Sequence, residues 1–169
     1  MFMKKLYLLT LLLFPSIFSL SQNYKIQAIL TYNLTKYLTW EENTDTTFKI
    51  GVFGNIEFLN ELKIISKNYQ VYEKSIEILE FKTVNQITDC RMLCVTREMN
   101  EELVNIIKHI ENQQTLLISD DAKKGIEGQN INFVIQDSKQ HFEIYPSNIL
   151  KKKIKIASEL LEIAIIVKN

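Results

Sequence analysis

Side chains able to do chemistry are thinly spread through this chain. The two histidines, His109 and His141, stand alone, without a ligand-spaced partner and outside any His-Glu-x-x-His or Cys-x-x-Cys pattern. No Gly-x-Ser-x-Gly elbow or Gly-x-x-x-x-Gly-Lys-Ser/Thr loop is present. Gly51-Val52-Phe53-Gly54 has the glycine spacing of a phosphate-cradling turn but lacks the rest of a dinucleotide fingerprint. Gly54 therefore reads as a tight strand-to-helix turn. Cys90 and Cys94 lie four apart on or beside one strand, which puts their Cα atoms about 13 Å apart, beyond the roughly 7 Å a disulfide spans. Both read as small buried hydrophobes. Without a positioned acid, base or nucleophile, the residues argue against an enzyme, and they suggest neither a metal nor a cofactor.

One polar cluster follows from topology. Ligands of open α/β sheets bind outside the carboxyl ends of the parallel strands. Those ends carry Gly54 and Asn55, then Thr96 and Arg97, then Ser119 and Asp120. Neighbouring strands would bring Arg97 and Asp120 to the two sides of a crevice that faces backbone donors after Gly54. The candidate ligand-binding residues are thus Gly54, Asn55, Arg97 and Asp120. The competing reading is that Arg97 and Asp120 pair with each other or cap helices.

The elements that must hold this crevice can be read in order. Ile26, Ile29, Leu30, Asn33, Leu34, Tyr37 and Trp40 keep helical spacing and predict a helix over 24–40. A strand over 46–53 leads through Gly54 to a helix over about 56–66, with Asn55 as its N-cap. Strands follow at 75–81, 91–96 and 115–119. Between the last two, Met99, Leu103, Ile106, Ile107 and Ile110 form a clean apolar helix stripe. Segments 131–135 and 141–145 predict a hairpin turning through Asp137-Ser138-Lys139. Pro146 then opens a helix expected to run almost to the C-terminus. Strands alternating with helices predict an α/β fold: a mostly parallel sheet with helices on both faces and the antiparallel hairpin at one edge.

The expected last helix is apolar on two sides, which calls for burial from both sides or for a partner. Ile156, Leu160, Ile163 and Val167 lie on one of its stripes and are the candidate partner or dimer interface. Its lysines, Lys151, Lys152, Lys153 and Lys155, leave too short an apolar run for a membrane span.

At the other end, Lys4 and Lys5 precede an uncharged apolar run of about 15 residues that closes on Ser19-Leu20-Ser21, the pattern of a secretory signal peptide. Residues 1–21 are expected to be removed, leaving one domain over 22–169 in the periplasm. Loss of that segment takes two from the 20 basic residues and none from the 20 acidic ones. The resulting near-neutral balance argues against a nucleic-acid binder.

Several segments taken in order resemble the YfiR-like family of periplasmic regulators. Ala28, Tyr32, Asn33, Lys36, Tyr37 and Trp40 match the spacing of its first helix. Phe48 to Gly54, Phe58, Cys90 with Met92 to Thr96, Leu116 to Asp120, Gly128, Ile131, Phe133, Phe142-Glu143-Ile144 and Ser158 to Ala164 continue the match. The resemblance implies a non-catalytic periplasmic α/β domain that holds a membrane-bound signalling protein, such as a diguanylate cyclase or a sensor kinase, in check, and that dimerises. Two positions depart from the family pattern: Tyr145 stands where Asn is usual and Lys153 where Gly is usual. The family's further cysteines are missing, so its disulfide framework does not carry over. The alternative left open by the residues themselves is a periplasmic small-ligand binding module.

Overall fold

The computed structural model describes residues 18–41, 44–120, 122 and 126–168. The leader expected over residues 1–21 lies outside the described residues apart from 18–21, which begin helix α1, Phe18–Leu34. The helices that follow are α2, Ile56–Asn68; α3, Leu103–His109; α4, Pro146–Lys151; and α5, Ser158–Ile163. None among the described residues is long and apolar enough to cross a membrane.

The strands are β1, Leu38–Thr39; β2, Thr47–Phe53; β3, Gln70–Val71; β4, Lys74–Phe81; β5, Met92–Val95; β6, Leu116–Asp120; β7, Ile131–Gln136; β8, Lys139–Ile144; β9, Lys155–Ile156; and β10, Ile165–Ile166. β1 and β9 pair antiparallel, and the other eight form one sheet in the order β10-β8-β7-β6-β5-β2-β4-β3. β4, β2, β5, β6 and β7 run parallel. The expected hairpin is β7–β8, and the two residues of β10 add to its outer side, parallel to β8.

Period two divides the sheet into two cores. Phe48, Ile50, Val52, Met92, Cys94, Leu116 and Ile118 face α1 and α2, where Ala28, Leu34, Phe58, Leu59 and Leu62 close the layer. Leu93, Val95 and Leu117 point the other way, against Leu103, Ile106 and Ile110. β5 and β6 are buried along their whole length, as central parallel strands covered on both faces must be.

Three of the elements read from the sequence take a different form. α1 stops at Leu34 instead of Trp40. Thr35, Lys36 and Tyr37 donate to the carbonyls three residues back, at 3.0–3.1 Å, and the Thr35 hydroxyl donates to Tyr32 O at 2.6 Å. The tightened turn frees Leu38 and Thr39 to pair with Ile156 and Lys155, and Trp40 packs edge-on against Phe48 with ring centroids 5.3 Å apart. The region between β5 and α3, expected as helix from Met99, is a 3-10 segment, Arg97–Glu102.

The long C-terminal helix is not formed. α4 ends at Lys151 because Lys153 takes φ 58°. Lys153 N donates to Leu150 O at 2.9 Å and Ile154 N to Ile149 O at 3.4 Å, the Schellman pattern of a helix stop. Buried Ile149 and Ile154 supply its apolar contact. A lysine thus occupies the left-handed position that glycine adopts most readily. In place of one stripe, Ile156 pairs in β9 with Leu38 and Leu160 is buried at 1 % exposure. Ile163 is 63 % exposed, and half-buried Val167 donates its N–H to Ile144 O at 2.9 Å. The four residues do not share a face.

Candidate functional site

The parallel strands, numbered among themselves, stand in the order 2-1-3-4-5, so the connections reverse direction between β2 and β5. That reversal places the preferred ligand crevice just beyond Phe53 and Val95. Gly54, Asn55, Arg97 and Asp120 all come to this end of the sheet, as expected, where Asn55, Arg97 and Asp120 are hydrogen-bonded and Gly54 lies close against Thr96.

Gly54 adopts φ 135°, and a Cβ on it would lie 2.0 Å from Thr96 Oγ1. That hydroxyl accepts from Asn55 N at 2.9 Å, which occupies the backbone donor after the turn. Asn55 caps α2 by accepting from Glu57 N at 2.8 Å and donates Nδ2 to Glu98 Oε1 at 3.0 Å. Arg97 grips Asp120 with two contacts, Nε to Oδ2 at 2.9 Å and a terminal nitrogen to Oδ1 at 3.2 Å. Asp120 is 3 % exposed, and its backbone carbonyl accepts from Asn100 Nδ2 at 2.9 Å.

The sequence reading did not place α1 here. Its Gln27, fully buried, donates Nε2 to Asp120 Oδ1 at 2.8 Å. One turn earlier, Tyr24 OH donates to Glu98 Oε1 at 2.5 Å, while its ring packs 6.2 Å from that of Phe58. Burial tends to raise the Glu98 pKa, but hydrogen bonds from Tyr24, Thr96, its own backbone and Asn55 outweigh this and hold it below the ordinary carboxylate range. Burial, and then the Glu98 bond, push the Tyr24 hydroxyl well above its usual value. A cavity of about 10 Å3 remains among Gln27, Cys94, Ser119, Asp120 and Phe133, room for about one water.

Beside this cluster, three polar residues point into the sheet's second face where apolar ones would be usual. The Ser119 hydroxyl donates to Asn132 Oδ1 at 2.9 Å, and Asn132 Nδ2 donates to buried Glu143 Oε2 at 3.1 Å. Asn132 also bonds both backbone groups of Ala122, at 3.0 and 3.2 Å. Ser119 and Glu143 stand in the family-like strands, and Asn132 sits between them in β7. A polar residue at an inward register position of an apolar strand is the signal that marks all three.

Neither cysteine is in a disulfide. Burial pushes the Cys90 thiol up to about 12 and raises that of Cys94 further, so both are poor nucleophiles. His109 Nε2 lies 3.0 Å from Ile87 O, a structural contact. Among the described residues, no three His, Cys, Asp or Glu side chains are grouped to hold a metal ion.

The amino ends of the same strands are more open. A cavity of about 380 Å3 lies by Trp40, Thr47, Tyr72 and Arg91. A second, of about 460 Å3, lies between α3, α4 and the turn before β7.

Comparison with known proteins adds an assignment over the length of this fold. The YfiR/HmsC-like family matches residues 24–165, from Tyr24 of α1 to the first residue of β10. No curated protein matches the chain.

Proposed function

Because the chain belongs to the YfiR/HmsC-like family, we propose that it is a non-catalytic periplasmic regulator, exported with loss of residues 1–21, that restrains a membrane-bound signalling protein by surface contact. A diguanylate cyclase fits best as the target, since the family regulates cyclic di-GMP signalling from the periplasm, and a sensor kinase is the other candidate. The observation that carries this reading, beside the family itself, is how the carboxyl end of the sheet is filled. Where α/β proteins usually receive a small substrate, Tyr24, Gln27, Asn55, Arg97 and Asp120 bond to one another or to Glu98. We assign Gly54, Asn55, Arg97 and Asp120 to seating α1; a ligand entering there would have to displace that helix. Of the four residues expected at an interface, Ile163 is the most exposed and is the first to probe for contact with a target or with a second copy.

The test is affinity capture of the full-length protein from detergent-solubilised membranes, with cyclic di-GMP measured before and after gene deletion. Recovery of an integral cyclase or kinase that Ile163→Asp weakens, with a rise in cyclic di-GMP on deletion, is the expected result. No membrane signalling protein in the capture, together with an unchanged dinucleotide level, would sink the proposal.

A further inference from the structure

The 460 Å3 cavity at the amino ends of the strands is built unlike the filled carboxyl end. One wall is apolar: Val104 and Ile107 on α3 and Ile110 just after it. Val104 is 65 % exposed, a large apolar group left at the rim. The turn before β7 forms the second wall and approaches α3 closely, since a Cβ on Gly128 would lie 2.6 Å from Ile107 Cγ2. The third wall is α4 with the residue after it, carrying Asn148, Lys151 and Lys152.

The polar groups of this cavity have hydrogen-bonding capacity to spare. Lys152 donates Nζ to Ile110 O at 2.6 Å and to Glu111 O at 2.8 Å. An ammonium has three donors, so one N–H remains. Asn130, 1 % exposed, spends its Oδ1 on Leu117 N at 2.8 Å, but its Nδ2 reaches Gly128 O only at 3.4 Å. Lys108 and Lys151 line the same space, and neither makes an ion pair or side-chain hydrogen bond among the described residues. Glu111 and Glu127 lie on the same rim, so three ammonium groups stand against two carboxylates. Burial draws the Lys152 pKa down, with Glu111 opposing, so an added negative charge beside it would be favoured.

We propose that this cavity binds a small organic monocarboxylate with an apolar body, its carboxylate received by Lys152 and Asn130 and its body lying along Ile107 and Val104. At about 30 Å3 per water-sized group the space holds roughly fifteen such groups, the scale of a medium-chain or aryl-substituted acid. Inorganic anions would leave the apolar wall unused, and neutral or cationic amphiphiles would leave the donors unused. The site is independent of the regulatory reading: it exists whether or not the protein restrains a membrane partner.

The test is titration of the isotopically labelled full-length protein with sodium hexanoate, hexanol, hexylamine and inorganic phosphate, followed by amide chemical shifts. Hexanoate should give saturable shifts at Ile110, Gly128, Asn130 and Lys152, with affinity about tenfold above the other three probes, a difference of about 1.4 kcal/mol. Lys151→Gln, at an exposed position whose ammonium makes no hydrogen bond or ion pair among the described residues, should keep the fold and weaken hexanoate about threefold to tenfold. Val104→Asn, which removes apolar wall without adding charge, should weaken it without altering the phosphate response. Equal binding of hexanol and hexanoate, phosphate binding as tight as hexanoate, shifts located elsewhere, or no saturation at all would each overturn the proposal.

Discussion

The two ends of the parallel sheet meet opposite fates. At the carboxyl end, the place topology reserves for ligands, polar side chains from α1, the β2–α2 turn, the 3-10 segment and β6 use one another up, leaving about 10 Å3. At the amino end, where topology favours nothing, cavities of about 380 and 460 Å3 remain, edged by lysines and an arginine. Strand order therefore says where the backbone leaves room, and side-chain bonding decides whether that room stays open. Long-range contacts made the decision here, because the side chains that close the crevice come from a helix far away in sequence.

If the carboxyl end is a bonded joint, substitutions there should cost much more than substitutions at the other end. Asp120→Ala should cost most. It removes the acceptor of both Arg97 contacts and of the shorter Gln27 bond and should destabilise by about 3 kcal/mol, the lower end for a broken buried pair because Arg97 retains some solvent contact. Urea unfolding would show it, and a cost below about 1 kcal/mol would mean that the joint is not a joint. Gly54→Ala comes next, at about 2–3 kcal/mol, from the positive φ and the collision with Thr96. Thr96→Ala in the same background should return part of that loss if the collision is the cause.

Tyr24→Phe removes the hydroxyl bond to Glu98 and should cost about 1.5 kcal/mol at neutral pH, as for a hydrogen bond to a charged group. Its pH dependence sharpens the comparison. The folded Glu98 pKa lies below its unfolded value, so the associated stability is complete above about pH 4.3 and fades as pH falls through the folded pKa. The gap between wild type and Tyr24→Phe should therefore be constant from pH 6 to 8 and narrow under acid; a gap independent of pH would exclude Glu98 as the partner that matters. The smallest effect has the opposite sign. Near the open end, Lys153→Gly relieves a left-handed lysine and should stabilise by about 0.5–1 kcal/mol, after the flexibility glycine adds to the unfolded chain. Thermal unfolding would detect it, and a loss of stability would mean that the lysine side chain contributes more than its backbone costs.

The α/β class, the central strands and the β7–β8 hairpin were legible because the signals are local: continuous apolar runs in β5 and β6, and a two-residue turn at Asp137-Ser138 with φ 51° and 60°. The convergence of Gly54, Asn55, Arg97 and Asp120 followed from alternating elements alone. What filled the crevice did not, since Tyr24 and Gln27 look like ordinary members of a helix until their partners are known. The C-terminal misreading has a different origin. Ile154, Ile156, Ile163, Ile165 and Val167 satisfy helical spacing, yet they are β-branched and pack well in strands. The stop between Lys152 and Lys153 carries neither glycine nor proline to announce itself. β3 was missed for a related reason: its turn with β4 uses Tyr72 and Glu73 at positive φ. Tyr72 is held there by its hydroxyl, which donates to Leu38 O and, at 3.2 Å, to Thr35 O.

The separation between α1 and its anchors also bears on the order of assembly. Tyr24 meets a partner 74 positions away and Gln27 one 93 positions away, whereas β2, α2, β3 and β4 follow one another directly. Closing such long loops is entropically slow relative to local pairing. Helix α1, although it precedes the sheet in the chain, is therefore expected to dock last, and until it does the buried side of Asp120 stands open to water and to any chaperone that meets the nascent sheet.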